Sequence, residues 1–315
     1  MEIIRDLNHI PFTQSAVAIG KFDGVHRGHR KILRAVTSEK ERGLSAVVFS
    51  FDPSPGVFFG AVEPGELLTG EEKRQMLQEA GVDYLVEFPF NRESAAIPAS
   101  VFLKDILCDK LHMRFIAAGP DVSFGDRGAG NAELLAECAA TYGYRLSVIG
   151  KEMRQGRVIS STAIRELLRQ ARLPEVNDML GYRYSVTGEV VHGAHLGTGF
   201  DMPTLNLLPP EEKLLPPKGV YYSDTVIDGV RYHSISNIGV KPTVTGDRVM
   251  GVETYVYDFA QDIYGRSVTV ELLEFERPEQ RFASVDALKE QLARDKKLGA
   301  DFFRQNRIPG TKENI

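Results

Sequence analysis

The sequence predicts an α/β half built on a doubly wound parallel sheet, followed by a β half: a small antiparallel β-barrel with a C-terminal helix. Two observations carry this. Up to about residue 150, short apolar runs alternate with amphipathic stretches, the rhythm of βαβ units whose sheet is covered by helices. From Tyr182 onward the apolar period falls to two, and β-branched and aromatic residues mark antiparallel strands. At 315 residues the chain also exceeds the ~250 that one core usually organises, so two domains are expected, 1–180 and 181–315.

In the first half, strands are expected at AVAI (16–19), SAVVFSF (45–51), YLVEF (84–88), RFIAA (114–118) and RLSVI (145–149). Helices fill the connections, where apolar residues recur at helical spacing: Leu33 with Val36, Met76 with Ala80, Leu103 with Leu107, Leu135 with Cys138. The bridge ISSTAIRELLRQARLPEVNDMLG reads as two short helices, the second opened by Pro174 and closed by Gly181. In the second half YSVTGEVVHG, GVYYSDTVIDGVRYHSISNIG, GVETYVYDF and RSVTVELLEFE alternate, and Asp228-Gly229 signals a hairpin. Five or more closely spaced strands suggest a barrel. A final helix over 284–297 is capped by Ser284 and turns Leu288 and Leu292 inward.

Composition narrows the function classes. With 43% hydrophobic residues, 26% charged and a net charge of -5, the chain has no basic field of the kind DNA binding needs, so nucleic acid is not an expected partner. The N-terminus MEIIRDLNHIPF lacks the apolar core of a signal peptide, and no apolar run nears ~18 residues. A cytoplasmic location without membrane insertion is the expectation. Cys108 and Cys138, each inside a helical pattern, give neither a disulfide framework nor a zinc ligand set.

Two segments of the first half carry chemistry. GKFDGVHRGH, residues 20–29, follows the first strand directly, and open parallel sheets bind ligands beyond the carboxyl ends of their strands. Gly20 leaves room for a ligand, Asp23-Gly24 makes the turn, and His26 and His29 fall three apart at the next helix start. Free N–H groups and the helix dipole attract anions there, and two imidazoles add donors, so the turn looks built for phosphate. A zinc pair, with Asp23 as the nearest further ligand, and a plain turn with surface histidines are the competing readings. ISSTAIRELL, residues 159–168, crowds Ser160, Ser161 and Thr162 at a helix start with Arg165 one turn in: a second anion site or a plain cap.

The second half offers MPTLNL, residues 202–207. Thr204 and Asn206 project from one face of a strand-like segment, where a hydroxyl and an amide oxygen could ligate Mg2+ or, more simply, fix a turn. Glu253 lies on the opposite face of its strand from Val252 and Thr254, the position of a solvated outward residue.

The pair GKFDGVHRGH and ISSTAIRELL resembles the HxGH and ISSTxxR motifs of the nucleotidyltransferase superfamily, whose fold is a Rossmann-like doubly wound sheet. Together with FDPSP (51–55), LLTGEEKRQML (67–77), GVDYLVEFPF (81–90) and GPDVSFGDRGAGN (119–131), it is similar to the adenylyltransferase module of bacterial bifunctional riboflavin kinase/FAD synthetases. GEVVHG (188–193), PTLN (203–206), SNIGVKPTV (236–244) and VETYVYDF (252–259) resemble that family's kinase module. The resemblance implies two reactions with ATP: riboflavin to FMN in the barrel, and FMN to FAD in the α/β domain. It implies that His26, His29 and Arg165 stabilise charge, and that Gly20, Phe22, Asp23, Gly24, Gly28, Asp121, Ser161 and Thr162 surround the nucleotide. It further implies that Thr204 and Asn206 hold Mg2+ with ATP and that Glu253 is the general base for the riboflavin hydroxyl. Against the family pattern GRxLGFPTAN, this chain has Thr198 for arginine, Asp201 for glycine, Met202 for phenylalanine and Leu205 for alanine, which should weaken anion binding. Ser54 stands where histidine is usual, and Val122 where phenylalanine is. An adenylyltransferase with a weakened kinase half and a non-catalytic flavin sensor are the alternatives.

Overall fold

The computed structural model describes residues 1–60, 65–192, 204–242 and 248–306. They form two compact units, Met1–Ser161 and Thr162–Ile315. The sequence suggested a boundary after residue 180; the structure groups the two bridging helices, Ser161–Arg169 and Leu173–Leu180, with the barrel unit from Thr162 on. Asn177 is one reason: its Nδ2 donates to the Leu272 carbonyl at 2.9 Å and its Oδ1 accepts from the Tyr184 N–H at 2.7 Å. Gly181 ends the second helix at φ +77, where a side chain would be strained.

In the first unit, strands β1 (Glu2–Ile4), β2 (Ser15–Ile19), β3 (Ser45–Asp52), β4 (Tyr84–Pro89), β5 (Met113–Ala118) and β6 (Arg145–Val148) form one sheet, all parallel, in the order β1-β4-β3-β2-β5-β6. From β2 the chain winds one way through β3 and β4, then returns to β5 on the other side of β2. The strand order therefore reverses between β2 and β5, and a crevice opens beyond their carboxyl ends. Alternation gives the sheet two faces. Val17, Ile19, Val47, Phe49 and Val86 pack with Phe102, Leu103 and Leu107 of the helical segment Phe102–Lys110, which is wound as a π-helix. Ala16, Ala18, Ala46 and Val48 are wholly buried on the other face. The edge strand β1 and a hairpin of β7 (Met153–Arg154) and β8 (Arg157–Val158) escaped the sequence reading, because three and two residues are too few to show a period.

In the second unit, β9 (Ser185–Val191), β10 (Thr204–Leu208), β11 (Gly219–Ile227), β12 (Val230–Pro242), β13 (Arg248–Val256) and β14 (Ser267–Pro278) close a barrel in the order β10-β13-β12-β11-β14-β9. Asp228 (φ +50) and Gly229 (φ +77) make the expected hairpin turn. Its interior is partly polar. Ser223, Thr225, Ser234, Ser236 and Thr254 are fully buried and bonded to one another through their hydroxyls at 2.8–2.9 Å, which satisfies them without water. The outer face of β11 to β13 is covered by the C-terminal helix Val285–Gln305, capped by Ser284 as expected, its hydroxyl accepting from the Ala287 N–H at 3.1 Å. The helix runs past the expected end at 297 because Phe302 stacks on Tyr222 and Phe303 on His233, at 4.3 and 4.0 Å between ring centroids.

Candidate active sites

The turn Gly20–His29 leaves the carboxyl end of β2, at the reversal of the strand order. Phe22, Gly24 and Val25 all have positive φ, of 51°, 83° and 32°, a tight path pinned from three sides. The Val25 N–H returns to the Phe22 carbonyl, the buried Asp23 carboxylate accepts from the Leu67 N–H at 3.0 Å, and the Asp23 carbonyl accepts from the Ser161 hydroxyl at 2.7 Å. The last bond ties the start of the ISST segment to the histidine turn. Asp23 is thus a positioning residue, its carboxylate buried and engaged by backbone.

His26 is the N-cap of the helix Arg27–Thr37: its Nδ1 accepts from the His29 N–H at 3.2 Å, which leaves the proton of the neutral ring on Nε2. The two imidazoles stack at 3.6 Å, and Gly28 permits this, because a Cβ there would lie 3.2 Å from the His26 ring. Burial is the largest cause holding the His26 pKa down at about 4, against the upward pull of Asp23. His29 lies well below 6.5 for the same reason, with His26 adding to it. Both rings are therefore neutral at pH 7, and they are not the surface histidines of the plain-turn reading. Among the described residues the buried Nδ1 of His29 has no hydrogen-bond partner, an orphaned group of the kind a ligand satisfies. Gly20 follows the strand directly, its N–H bonded to the Phe49 carbonyl. Asp121, beyond the end of β5, is exposed and paired with Lys151 at 3.0 Å. Thr162 is exposed and Arg165 buried on the helix that Ser161 opens.

An aromatic cavity of about 630 Å³ opens on the same unit, walled by Phe51, Phe58, Phe59, Phe90, Phe102 and Phe124. Sequence reasoning missed it as a site. The signal was there, in the phenylalanines of FDPSPGVFF, FPF, VFL and SFG, but they lie on four separate segments that only the fold brings together.

In the barrel unit, Thr204 donates to the Glu253 carboxylate at 2.8 Å. Asn206 pairs in register with Glu253 across β10 and β13, as Asn237 does across β12 and β13. Glu253 is half-buried rather than solvated. With Thr204, Asn237 and Tyr255 it lines a cavity of about 550 Å³ between the barrel's outer face and Leu288, Leu292 and Asp295 of the C-terminal helix. Hydroxyl, amide and carboxylate oxygens side by side suit a hard divalent cation. Among the described residues no three His, Cys, Asp or Glu are grouped to hold a metal. Thr198, Asp201 and Met202 lie outside the described residues.

A phosphate-type turn at a strand-order reversal and a carboxylate–hydroxyl pair over a barrel cavity fit a chain of two modules that handle phosphate. Comparison with known proteins agrees: the family described as FAD synthetase matches residues 10–163 and that described as riboflavin kinase matches 180–303, both ATP-using families. The bifunctional riboflavin kinase/FMN adenylyltransferase of Escherichia coli K12 is 38% identical, over 95% of this chain and 96% of that one. That of Haemophilus influenzae is 33% identical, over 96% and 99%. A crystal structure described as a macrolide-efflux protein from Streptococcus pneumoniae shares the fold with a TM-score of 0.83 and 29% identity, over 95% of this chain and 98% of that one. The chain belongs to the bifunctional riboflavin kinase/FMN adenylyltransferase family. Among its described residues no helix is long and apolar enough to cross a membrane.

Proposed function

We propose that this chain makes both flavin cofactors: the barrel module, 181–315, phosphorylates riboflavin to FMN with ATP, and the α/β module, 1–180, adenylylates FMN to FAD. The observation that carries the reading is the presence in one chain of two different constellations, neutral stacked imidazoles at the sheet and a carboxylate–hydroxyl pair at the barrel.

In the α/β module an oxygen of the FMN phosphate attacks the α-phosphorus of ATP, the α–β anhydride bond breaks, and pyrophosphate leaves. His26 and His29 donate to the polyphosphate and the leaving group, with Thr162 and Arg165 holding the same chain of phosphates. Gly20, Phe22, Gly24 and Gly28 shape the approach, and Asp121 stands at its edge. The aromatic cavity takes the flavin ring, since six phenylalanines offer faces for stacking.

In the barrel module the riboflavin 5′-oxygen attacks the γ-phosphorus, Glu253 takes the proton, and ADP leaves. Thr204 and Asn206 would hold Mg2+, which when bound neutralises phosphate charge. The hydrogen bond from Thr204 aims the Glu253 carboxylate, and the cavity beneath the C-terminal helix takes the ring of riboflavin.

One assay tests the whole: the chain with riboflavin, ATP and Mg2+, its products separated over time. FMN followed by FAD is expected. FAD formed only from added FMN would favour a weakened kinase half, for which Asp201 and Thr198 are the reason in the sequence. Neither product would end the enzyme reading.

A further inference from the structure

The aromatic cavity of the α/β unit holds two groups that the reaction as written does not use. Arg92 and Arg127 both line it, both are exposed, and among the described residues neither has an ion-pair or hydrogen-bond partner. Among the described residues the one carboxylate on the wall is Asp126, so their lining carries a net positive charge. Arg127 is not placed there by chance of a loose loop. Its backbone is held at φ +50, in the left-handed region, between Gly125 at +72 and Gly128 at +68. The turn is fastened by the Phe124–Gly130 bridge and by the Asp126 N–H, which donates to the Ile97 carbonyl at 2.7 Å. Backbone kept in a sparsely populated region by so many ties is a feature of ligand clamps.

We propose that Arg92 and Arg127 are specificity residues of this cavity, donating to the carbonyl-bearing edge of the flavin ring while the phenylalanines hold its faces. The proposal rests on the reading that FMN occupies the cavity. Topology selects the ring edge over the phosphate. The phosphate must reach the histidine turn at the end of β2 to react, whereas Arg92 follows β4, two strands away and roughly 10 Å across the sheet at ~4.8 Å per strand. The bond from Asp126 to Ile97 draws the turn of Arg127 toward that same distal side. Guanidinium forks match the paired acceptors of a pyrimidine-dione edge, and a planar ring between aromatic walls presents that edge in a fixed plane.

The test uses the full chain, FMN, and 2-thio-FMN, in which sulfur replaces one carbonyl oxygen and accepts more weakly. Arg92→Ala and Arg127→Ala should each raise KM for FMN about tenfold in adenylyl transfer, with the effect on KM rather than kcat, and the wild-type penalty against the thio analogue should shrink toward none. An unchanged kcat and an unchanged thermal unfolding profile of the same preparations report that the α/β unit is folded. Phe58→Ala separates the two layers of the argument. If it raises KM for FMN while both arginine variants behave as wild type, the cavity binds flavin and the arginine proposal falls. If none of the three variants changes KM, the proposal falls together with the placement of FMN. Arginine variants that keep the thio penalty but let riboflavin compete better with FMN would put the guanidinium groups on the phosphate, which also overturns the proposal.

Discussion

The two units meet phosphate chemistry with opposite equipment. At the sheet, the proposed reactive corner offers donors: two neutral stacked imidazoles, a helix start and the Arg165 guanidinium, while the Asp23 carboxylate is turned to the Leu67 N–H, from which it accepts. At the barrel, the centre is a half-buried carboxylate aimed by a hydroxyl. The nucleophiles explain the difference. A phosphate oxygen is already anionic, so adenylyl transfer needs charge stabilisation and no base; a carboxylate there would repel the attacking group. An alcohol must lose its proton as it attacks, so riboflavin phosphorylation needs a base, the role proposed for Glu253.

The sharpest way to break this comparison is to remove each centre in turn. Glu253→Gln keeps shape and hydrogen bonding but cannot take the proton; FMN formation should fall by about 10³-fold or more, with FMN to FAD unchanged. His29→Ala should lower adenylyl transfer by about 10²-fold, with riboflavin phosphorylation unchanged. Product chromatography from riboflavin and from FMN measures both. Equal loss of the two activities in either variant would show that the centres are not separate.

Much of this was legible in the sequence, and the gaps have physical causes. The helical and strand periods located every long element, and the three-residue spacing of His26 and His29 foretold a pair on one helix turn; the structure gives a stack. Burial of the pair was not legible, since it comes from the fold around the turn rather than from the turn. Nor was the aromatic cavity, whose walls are far apart in the chain. The hydroxyl-lined barrel interior runs against pattern reading, which assigns serine to the outside; hydrogen bonds between neighbouring strands make those serines acceptable inside. Glu253 shows the converse: by alternation it points outward from the barrel, and the C-terminal helix turns that outward face into the wall of a cavity.

Burial of the histidines also sets a pH dependence of stability. With the folded His26 near 4 and the unfolded value at 6.5, the unfolded chain binds more protons between those limits, so stability falls as pH falls through that window. From pH 6.5 to 5 the loss is on the order of 2 kcal/mol from this residue. His29, depressed by the same burial, adds to it in the same direction. Denaturant unfolding at the two pH values measures the slope, and His26→Asn, which keeps an acceptor at the N-cap, should flatten it. An unchanged slope would mean that the imidazoles are not neutral in the folded unit.

The smallest effect probes how much of the barrel centre is aim rather than chemistry. Thr204→Val is nearly isosteric, yet it removes the 2.8 Å bond to Glu253 and the hydroxyl oxygen offered to a cation. A single hydrogen bond to a charged acceptor supports a loss of about tenfold in kcat/KM for riboflavin phosphorylation, far less than loss of the base. Thr204→Ser restores the hydroxyl without the methyl and should recover most of that activity. Recovery would assign the effect to the oxygen; continued loss in the serine variant would assign it to packing of the methyl group in β10. Adenylyl transfer should be untouched in both, because the imidazole centre owes nothing to this strand.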